Sequence, residues 1–382
     1  MTQARAGVRC ERQTSSPDAE VDLLAAADWM FPNQMDHHTL LTGNGVANRL
    51  LVRLVRQMGG SGTLPDVPPA AVPSVRDEIV DVCIVGAGPA GLTAATTLAR
   101  LAPRADVLLV DEQAEPGGSW LAEPQGFVRA TAAAERAMAA GVRLLSRAPA
   151  IGFFPEDVVD RGQGRADNVG DREDAITGIL AVSTANGLCR VAARRILYAT
   201  GAYDQNFPFQ DNDRPGVISA RACGRLAFRH GIRPGRRIAI VGPSTYGDRL
   251  AAGLVDAGLR PEHVERVDPR ADHPVAARGA TTLRGLIVAD GAGRERRLAA
   301  DVIAVAATPA PASELPRQHG AHVRMDEARG GFAVTTNERF STTAERVFCC
   351  GDVTGYGGPA LAEQAGAAAA AAIAHTLNQD HT

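Results

Sequence analysis

The sequence predicts an α/β protein built from two Rossmann-like dinucleotide-binding domains, the first of them assembled from N- and C-terminal segments. Three observations predict it: the run Asp81-Val-Cys-Ile-Val-Gly-Ala-Gly-Pro-Ala-Gly91, the run Phe348-Cys-Cys-Gly-Asp-Val-Thr354, and a weaker repeat of the same strand, turn and helix logic over residues 237–257. The first two runs read as halves of one cradle, so the chain between them must fold out and return.

Residues 82–85 are a short apolar run suited to a buried parallel strand, and residues 90–101 have a helical composition. The glycines therefore fall at the turn. Gly86 permits the tight bend, Gly88 lets a pyrophosphate approach the backbone, and Gly91 lets the helix lie close to the sheet. Pro89 and Ala90 open that helix, whose free amides suit an anion. Twenty residues beyond Gly91 an apolar run ends at Asp111, followed by Glu112. An acid there is placed to accept hydrogen bonds from an adenosine ribose and disfavours a 2'-phosphate. Next comes a turn-rich stretch through Gly117, Gly118 and Ser119, consistent with close approach to a ligand.

Composition narrows the function. A chain of 382 residues with 45% hydrophobic content has room for two or three domains with sizeable cores. Aromatic content of 4% and a formal charge of -3 give neither a base-stacking surface nor a field for a polyanion, so nucleic acid is not an expected partner. Every basic side chain is an arginine, which excludes a lysine Schiff base, a Walker-type lysine and a lysine general base. Cys10, Cys83, Cys189, Cys223, Cys349 and Cys350 form no disulfide framework, no CxxC pair and no metal-ligand spacing. Cys83 reads as a core residue, and Cys349 and Cys350, adjacent at a strand end, point to opposite faces. No apolar leader or membrane-spanning run is present, so the cytoplasm is the expected compartment.

The remaining elements follow in order. Residues 1–27 read as a flexible tail, and 28–78 as a helical extension and Pro-rich linker. In the extension, Leu50, Leu51, Leu54, Val55 and Met58 create one apolar face over 46–58, and His37-His38 read as ordinary polar residues. A helix is expected over 130–140, an exposed loop over 155–175, and a strand pair around Asn186-Gly187 leading to an apolar strand that ends at Thr200 and Gly201. In the second Rossmann-like domain, 206–319, Ser244 stands where the strict pattern has its second glycine, which makes the phosphate signature degenerate. The first domain, a dinucleotide-binding domain over 79–205 and 320–382, closes at Gly351 and Asp352, where Asp352 would hydrogen-bond a sugar or ribityl hydroxyl. A very alanine-rich helix follows from about Ala360, suited to close packing on a sheet or cofactor.

With these residues in view, the chain resembles flavoproteins with two dinucleotide domains of glutathione-reductase type. The string Ala199-Thr-Gly-Ala-Tyr-Asp204, the string Asn212-Asp-Arg-Pro-Gly-Val-Ile218 and the linker through Val55-Arg-Gln-Met-Gly-Gly-Ser-Gly-Thr-Leu-Pro65 narrow the match. Over roughly residues 28–378 it is similar to the alpha subunits of heterotetrameric sarcosine oxidase and of hydroxyproline, opine and proline dehydrogenases. The resemblance implies that Gly86, Gly88, Gly91 and Asp111 surround an adenosine diphosphate, with Gly118 and Ser119 near the same ligand and Gly351-Asp352 as the closing motif. It implies FAD, with NAD or another adenine nucleotide as the alternative, and leaves room for FMN at a partner interface. It also implies an FAD-dependent beta subunit on which a carbon attached to nitrogen loses hydride, and leaves room for a small ferredoxin-like subunit. The chain departs from the family in showing no complete N-terminal ferredoxin-like domain, no cysteine-rich iron–sulfur module and no folate-binding extension, which puts folate-linked chemistry in doubt. No residue trio marks a substrate acid–base site, so catalytic residues stay unassigned. A stand-alone NAD(P)H-dependent FAD reductase and a non-catalytic nucleotide-bound scaffold are the competing readings.

Overall fold

The structure is a computed structural model, and the residues it describes are 74–155, 178–268, 271–279 and 282–379, with Gly45, Val46 and Arg49. Met1–Val72 and Pro73–Thr382 form separate compact units. In the first, Gly45, Val46 and Arg49 are helical, and Arg49 Nε donates to Gly45 O at 3.1 Å. The rest of the helix expected over 46–58, the tail, His37-His38, the Pro-rich linker and the charged stretch 156–177 lie outside the described residues.

The second unit runs through β1 (Ser74–Val85), α1 (Pro89–Leu101), β2 (Val107–Val110), α2 (Gly126–Ala139), β3 (Arg143–Leu145), β4 (Ala150–Pro155), β5 (Gly178–Thr184) and β6 (Gly187–Tyr198). It crosses by β7 (Ala202–Tyr203) to β8 (Val217–Ser219), α3 (Ala220–Gly224), β9 (Ile238–Val241), α4 (Tyr246–Asp256), β10 (Val264–Val267), β11 (Asp272–Gly279), β12 (Leu283–Asp290), β13 (Glu295–Leu298) and β14 (Val302–Val305). It returns by β15 (Ala310–Pro311) to α5 (Glu314–Gln318), β16 (Val323–Asp326), β17 (Gly331–Val334), β18 (Val347–Cys349) and α6 (Pro359–Gln379).

Val82 to Val85 are buried on both sides, as a central parallel strand requires, and β1 pairs in parallel with β2 and β6. The strand begins at Ser74, ahead of the boundary at 79 read from the sequence, because its outer half continues to pair with β6 from Ser74↔Gly187 onward. The hairpin strand and the apolar strand expected after Gly187 are one continuous strand, β6. Its N-terminal half pairs antiparallel with β5 and its last residues pair in parallel with β18 through Ile196↔Val347, Leu197↔Phe348 and Tyr198↔Cys349. That register joins the two halves of the cradle.

Helices α1, α2 and α6 share one core with one face of this sheet, while Phe153, Leu180, Val182 and Val334 pack on the other. The small residues of α6 have a steric purpose, since a Cβ at Gly366 would lie 2.2 Å from Ala90 O of α1. In the second domain β10-β9-β14-β8 form a parallel sheet with α3 and α4 on one face and the antiparallel sheet β11-β12-β13 on the other. Both Rossmann-like domains expected from the sequence are present.

Candidate functional site

Between β1 and α1 the backbone bends at Gly86, whose φ of 104° is closed to most side chains and whose added Cβ would lie 2.4 Å from Ala199 O. Gly91 has a different reason. Its Cβ would sit 1.8 Å from Gly86 O, so the absent side chain is what lets α1 start against the turn. Gly88 is unlike both: a Cβ there meets only Gly118 Cα at 3.8 Å, an ordinary contact, and the residue lines the adjoining cleft. The amides of Gly88, Ala90 and Gly91 have no hydrogen-bond partner among the described residues, as expected for the first turn of a helix. Free helix-start amides of this kind are the donors an anion requires.

The cleft has a volume of about 740 Å³, large enough for a cofactor. Gly86, Gly88, Pro89, Ala90, Asp111, Glu112, Gly118, Ser119, Thr200, Gly201 and Asp352 all line it. Gly91 and Gly351 do not. Gly91 serves helix packing, and a Cβ on Gly351 would lie 2.9 Å from Ala90 Cβ, so both shape the wall from behind.

The three acids differ in how much of each is already engaged. Asp111 Oδ2 accepts the Ala87 amide at 2.5 Å and Oδ1 the Gln113 amide at 2.7 Å, so this carboxylate braces the turn. Burial raises its pKa, opposed by those two amides. Glu112 is exposed beside it, and its Oε1 accepts only Gln113 Nε2, at 3.0 Å. Asp352 is 6% exposed; its Oδ1 accepts the amides of Gly357 and Gly358 at 3.0 and 3.1 Å, and its Oδ2 has no partner among the described residues. Thr200 differs again, because its hydroxyl donates to Ala312 O at 2.8 Å and ties β6 to the returning chain.

Other lining residues were not singled out by the sequence. Tyr203, Glu314 and Gln318 come from the crossing segments, and Arg221 and Arg225 come from the second domain. Burial first, then the carboxylates of Glu314 and Glu112, raise the pKa of Tyr203. Arg221 is neutralised by Asp204, whereas Arg225 donates one long bond, 3.3 Å, to Gly118 O. Their spacing of four, from α3 into the helical turn that follows it, is the signal that could have drawn attention to them.

In the second domain the corresponding turn is filled from within. Arg266 Nη2 donates to Gly242 O at 2.6 Å, Nη1 to Val267 O at 2.8 Å and Nε to Asp248 Oδ1 at 2.8 Å. The turn's amides are engaged as well: Ser244 N bonds Ala306 O, Tyr246 N bonds Ser244 Oγ and Gly247 N bonds Ser244 O. A Cβ at Gly247 would lie 2.9 Å from Arg266 Cζ, so this glycine accommodates a guanidinium. Ser244 was the visible departure from the pattern. Arg266 was the missed one.

Among the described residues the thiols form no disulfide. Cys349 packs in one core and Cys350 in the other, on opposite faces of the sheet, and Cys83, Cys189 and Cys223 are buried too. Burial pushes the Cys83 and Cys350 thiols up to about 12. Among the described residues no group of three His, Cys, Asp or Glu side chains could hold a metal, and no helix is long and apolar enough to cross a membrane.

Two Rossmann-like domains with one open, anion-ready turn define a nucleotide-dependent oxidoreductase fold. The family model for pyridine nucleotide-disulphide oxidoreductases matches residues 80–286, and the chain belongs to that family. It is a homologue of sarcosine oxidase and opine oxidase subunits. It is 36% identical over 211 residues to the sarcosine oxidase alpha subunit of Rhizobium meliloti (strain 1021), and 29% identical over 348 residues to that of Corynebacterium sp. (strain P-1). These matches span 53% and 80% of this chain but only 20% and 34% of the relatives' own lengths. An opine oxidase subunit of Rhizobium meliloti (strain 1021) is 25% identical over 353 residues, 78% of this chain and 72% of the relative. Among solved structures, L-proline dehydrogenase from P. horikoshii aligns at TM-score 0.64 and 19% identity, over 80% of this chain and 57% of that one, and shares the fold.

Proposed function

We propose that this chain is the alpha-type subunit of a heteromeric flavoprotein oxidoreductase that oxidises a secondary amine, an N-alkyl amino acid, a cyclic imino acid or an opine, with the substrate oxidised on a partner subunit. The observation that carries this reading is the contrast between the two turns, one with open amides beside a cleft and one occupied by Arg266. One open turn and no acid–base trio among the described residues suit an electron-transfer subunit, and the filled turn counts against a stand-alone NAD(P)H-dependent reductase.

In this reading the amides of Gly88, Ala90 and Gly91 hold a diphosphate, Glu112 receives a ribose hydroxyl, and the Asp352 Oδ2 left without a partner among the described residues receives a sugar or ribityl hydroxyl. Asp111 keeps the turn in shape, and Gly118 and Ser119 close over the ligand. FAD is the first choice, with NAD or another adenine nucleotide as the alternative. A bound flavin supplies hydride and single-electron chemistry. The partners are an FAD-dependent beta subunit, with FMN at their interface, and a small ferredoxin-like subunit.

Copurification with tagged products of the neighbouring genes, followed by release and mass identification of bound cofactors, tests this directly. A complex containing a flavoprotein partner is expected. A flavin-loaded monomer that oxidises NADH rapidly would select the reductase reading, and a chain holding neither partner nor nucleotide would remove the proposal.

A further inference from the structure

The second domain has lost its own nucleotide turn to Arg266, yet it is fastened to the first domain around the cleft. Its short helix α3 lies so close to the loop after Asp111 that a Cβ on Gly224 would be 2.5 Å from Ala122 O. Tyr246 Oη donates to the same Ala122 O at 2.5 Å, Arg229 pairs with Glu115, and Arg249 pairs with Glu123 at 3.1 Å. These contacts seat Arg225 beside the cleft; it follows Gly224 at the start of a π-helical turn, Arg225–Arg229.

Arg225 differs from its neighbours. Arg221, Arg229 and Arg249 each have a carboxylate partner, whereas Arg225 forms no ion pair among the described residues. Its single hydrogen bond is the 3.3 Å contact to Gly118 O. A half-buried guanidinium with five N–H donors, bordering the same cleft as the open amides of Gly88 and Ala90, is matched chemically by a phosphate. Its charge also reaches Asp111 and Glu115, a smaller influence than the burial of Asp111 or the Arg229 partner of Glu115.

We infer that the second Rossmann domain serves the first domain's ligand in place of one of its own, delivering Arg225 to the diphosphate of an adenine nucleotide held in the cleft. This rests on the nucleotide reading proposed above. Arg225 acts as an inter-domain clamp: it draws on the fixed seat of α3 and contributes charge where the α1 turn contributes amides.

The test uses the full chain stripped of bound nucleotide, titrated calorimetrically with ADP and, separately, with adenosine. Wild type is expected to bind one ADP per chain. Arg225→Met is expected to weaken ADP about 10-fold to 100-fold while leaving adenosine unchanged, and Arg225→Lys to recover part of the loss. Unchanged near-UV circular dichroism in both variants shows that α3 is still seated. An Arg225→Met chain that binds ADP as wild type does, or loses ADP and adenosine equally, overturns the clamp, as does a second ADP bound per chain. Wild type that binds no ADP overturns the nucleotide reading itself and this inference with it.

Discussion

Asp111 and Ala87 are joined by a 2.5 Å hydrogen bond from the Ala87 amide to Asp111 Oδ2, which ties the end of β2 to the glycine turn that follows β1. With Oδ1 holding the Gln113 amide, the side chain organises two loops at once. Asp111→Ala removes both acceptors from a largely buried position and is expected to cost about 1–3 kcal/mol of stability, and to weaken ADP binding through the displaced turn. Asp111→Asn, which keeps an acceptor oxygen, is expected to lose less. Denaturant midpoints for the two variants check this; equal stability of wild type and Asp111→Ala would remove the brace.

The glycines of the turn separate by their role. Gly91→Ala forces a Cβ to within 1.8 Å of Gly86 O and is expected to destabilise the chain by about 1–3 kcal/mol or more. Gly88→Ala meets only Gly118 Cα at 3.8 Å, so the fold is expected to keep its thermal midpoint while ADP affinity falls at least about tenfold. Calorimetry on both variants, unfolding and binding, reads the split. If Gly88→Ala proves as destabilising as Gly91→Ala, Gly88 is a packing glycine.

His319 supplies a pH signature. Its ring stacks on Phe153 with centroids 3.4 Å apart and shares a 3.1 Å hydrogen bond with Tyr198 Oη, and burial lowers its pKa from 6.5 to about 4. Between those values the unfolded chain takes up a proton that the folded chain refuses, so stability is fully present above 6.5 and is lost as pH falls toward 4. The expected loss across that window is about 2–3 kcal/mol. His319→Gln, which keeps a polar partner for Tyr198, is expected to flatten the pH dependence there. Urea midpoints from pH 7.5 down to 4.5 test it, and parallel curves for the two proteins would count against His319 as the source.

Local pattern carried the first half of the site a long way. Gly86, Gly88, Gly91 and Asp111 were readable because a strand, a turn and a helix within one stretch of chain impose their own spacing, and β1, α1 and β2 form where that spacing placed them. Gly351-Asp352 was readable for the same reason at the end of β18. The split of duties among the acids was not, since Asp111 and Glu112 are neighbours with the same chemistry. Which of them meets an amide depends on where the turn after β1 lies in space. Glu314 and Gln318 had no local signature at all, and Tyr203 stood in the string 199–204 with no role attached, because these residues reach the cleft only through the β7 and β15 crossing.

The sequence by itself determined that two Rossmann-like domains exist, that one carries a complete glycine turn with an acid at the right distance, and that no lysine or cysteine pair is available for chemistry. These are properties of composition and short-range spacing, which the chain carries before it folds. Only the tertiary structure decided what each turn is open to. Arg266 lies 24 residues beyond Gly242, and Arg225 lies 107 residues from Gly118, so neither contact has a sequence period. The packing of β10 beside β9 carries the first guanidinium into its own domain's turn, and the seating of α3 on the first domain brings the second over the neighbouring cleft.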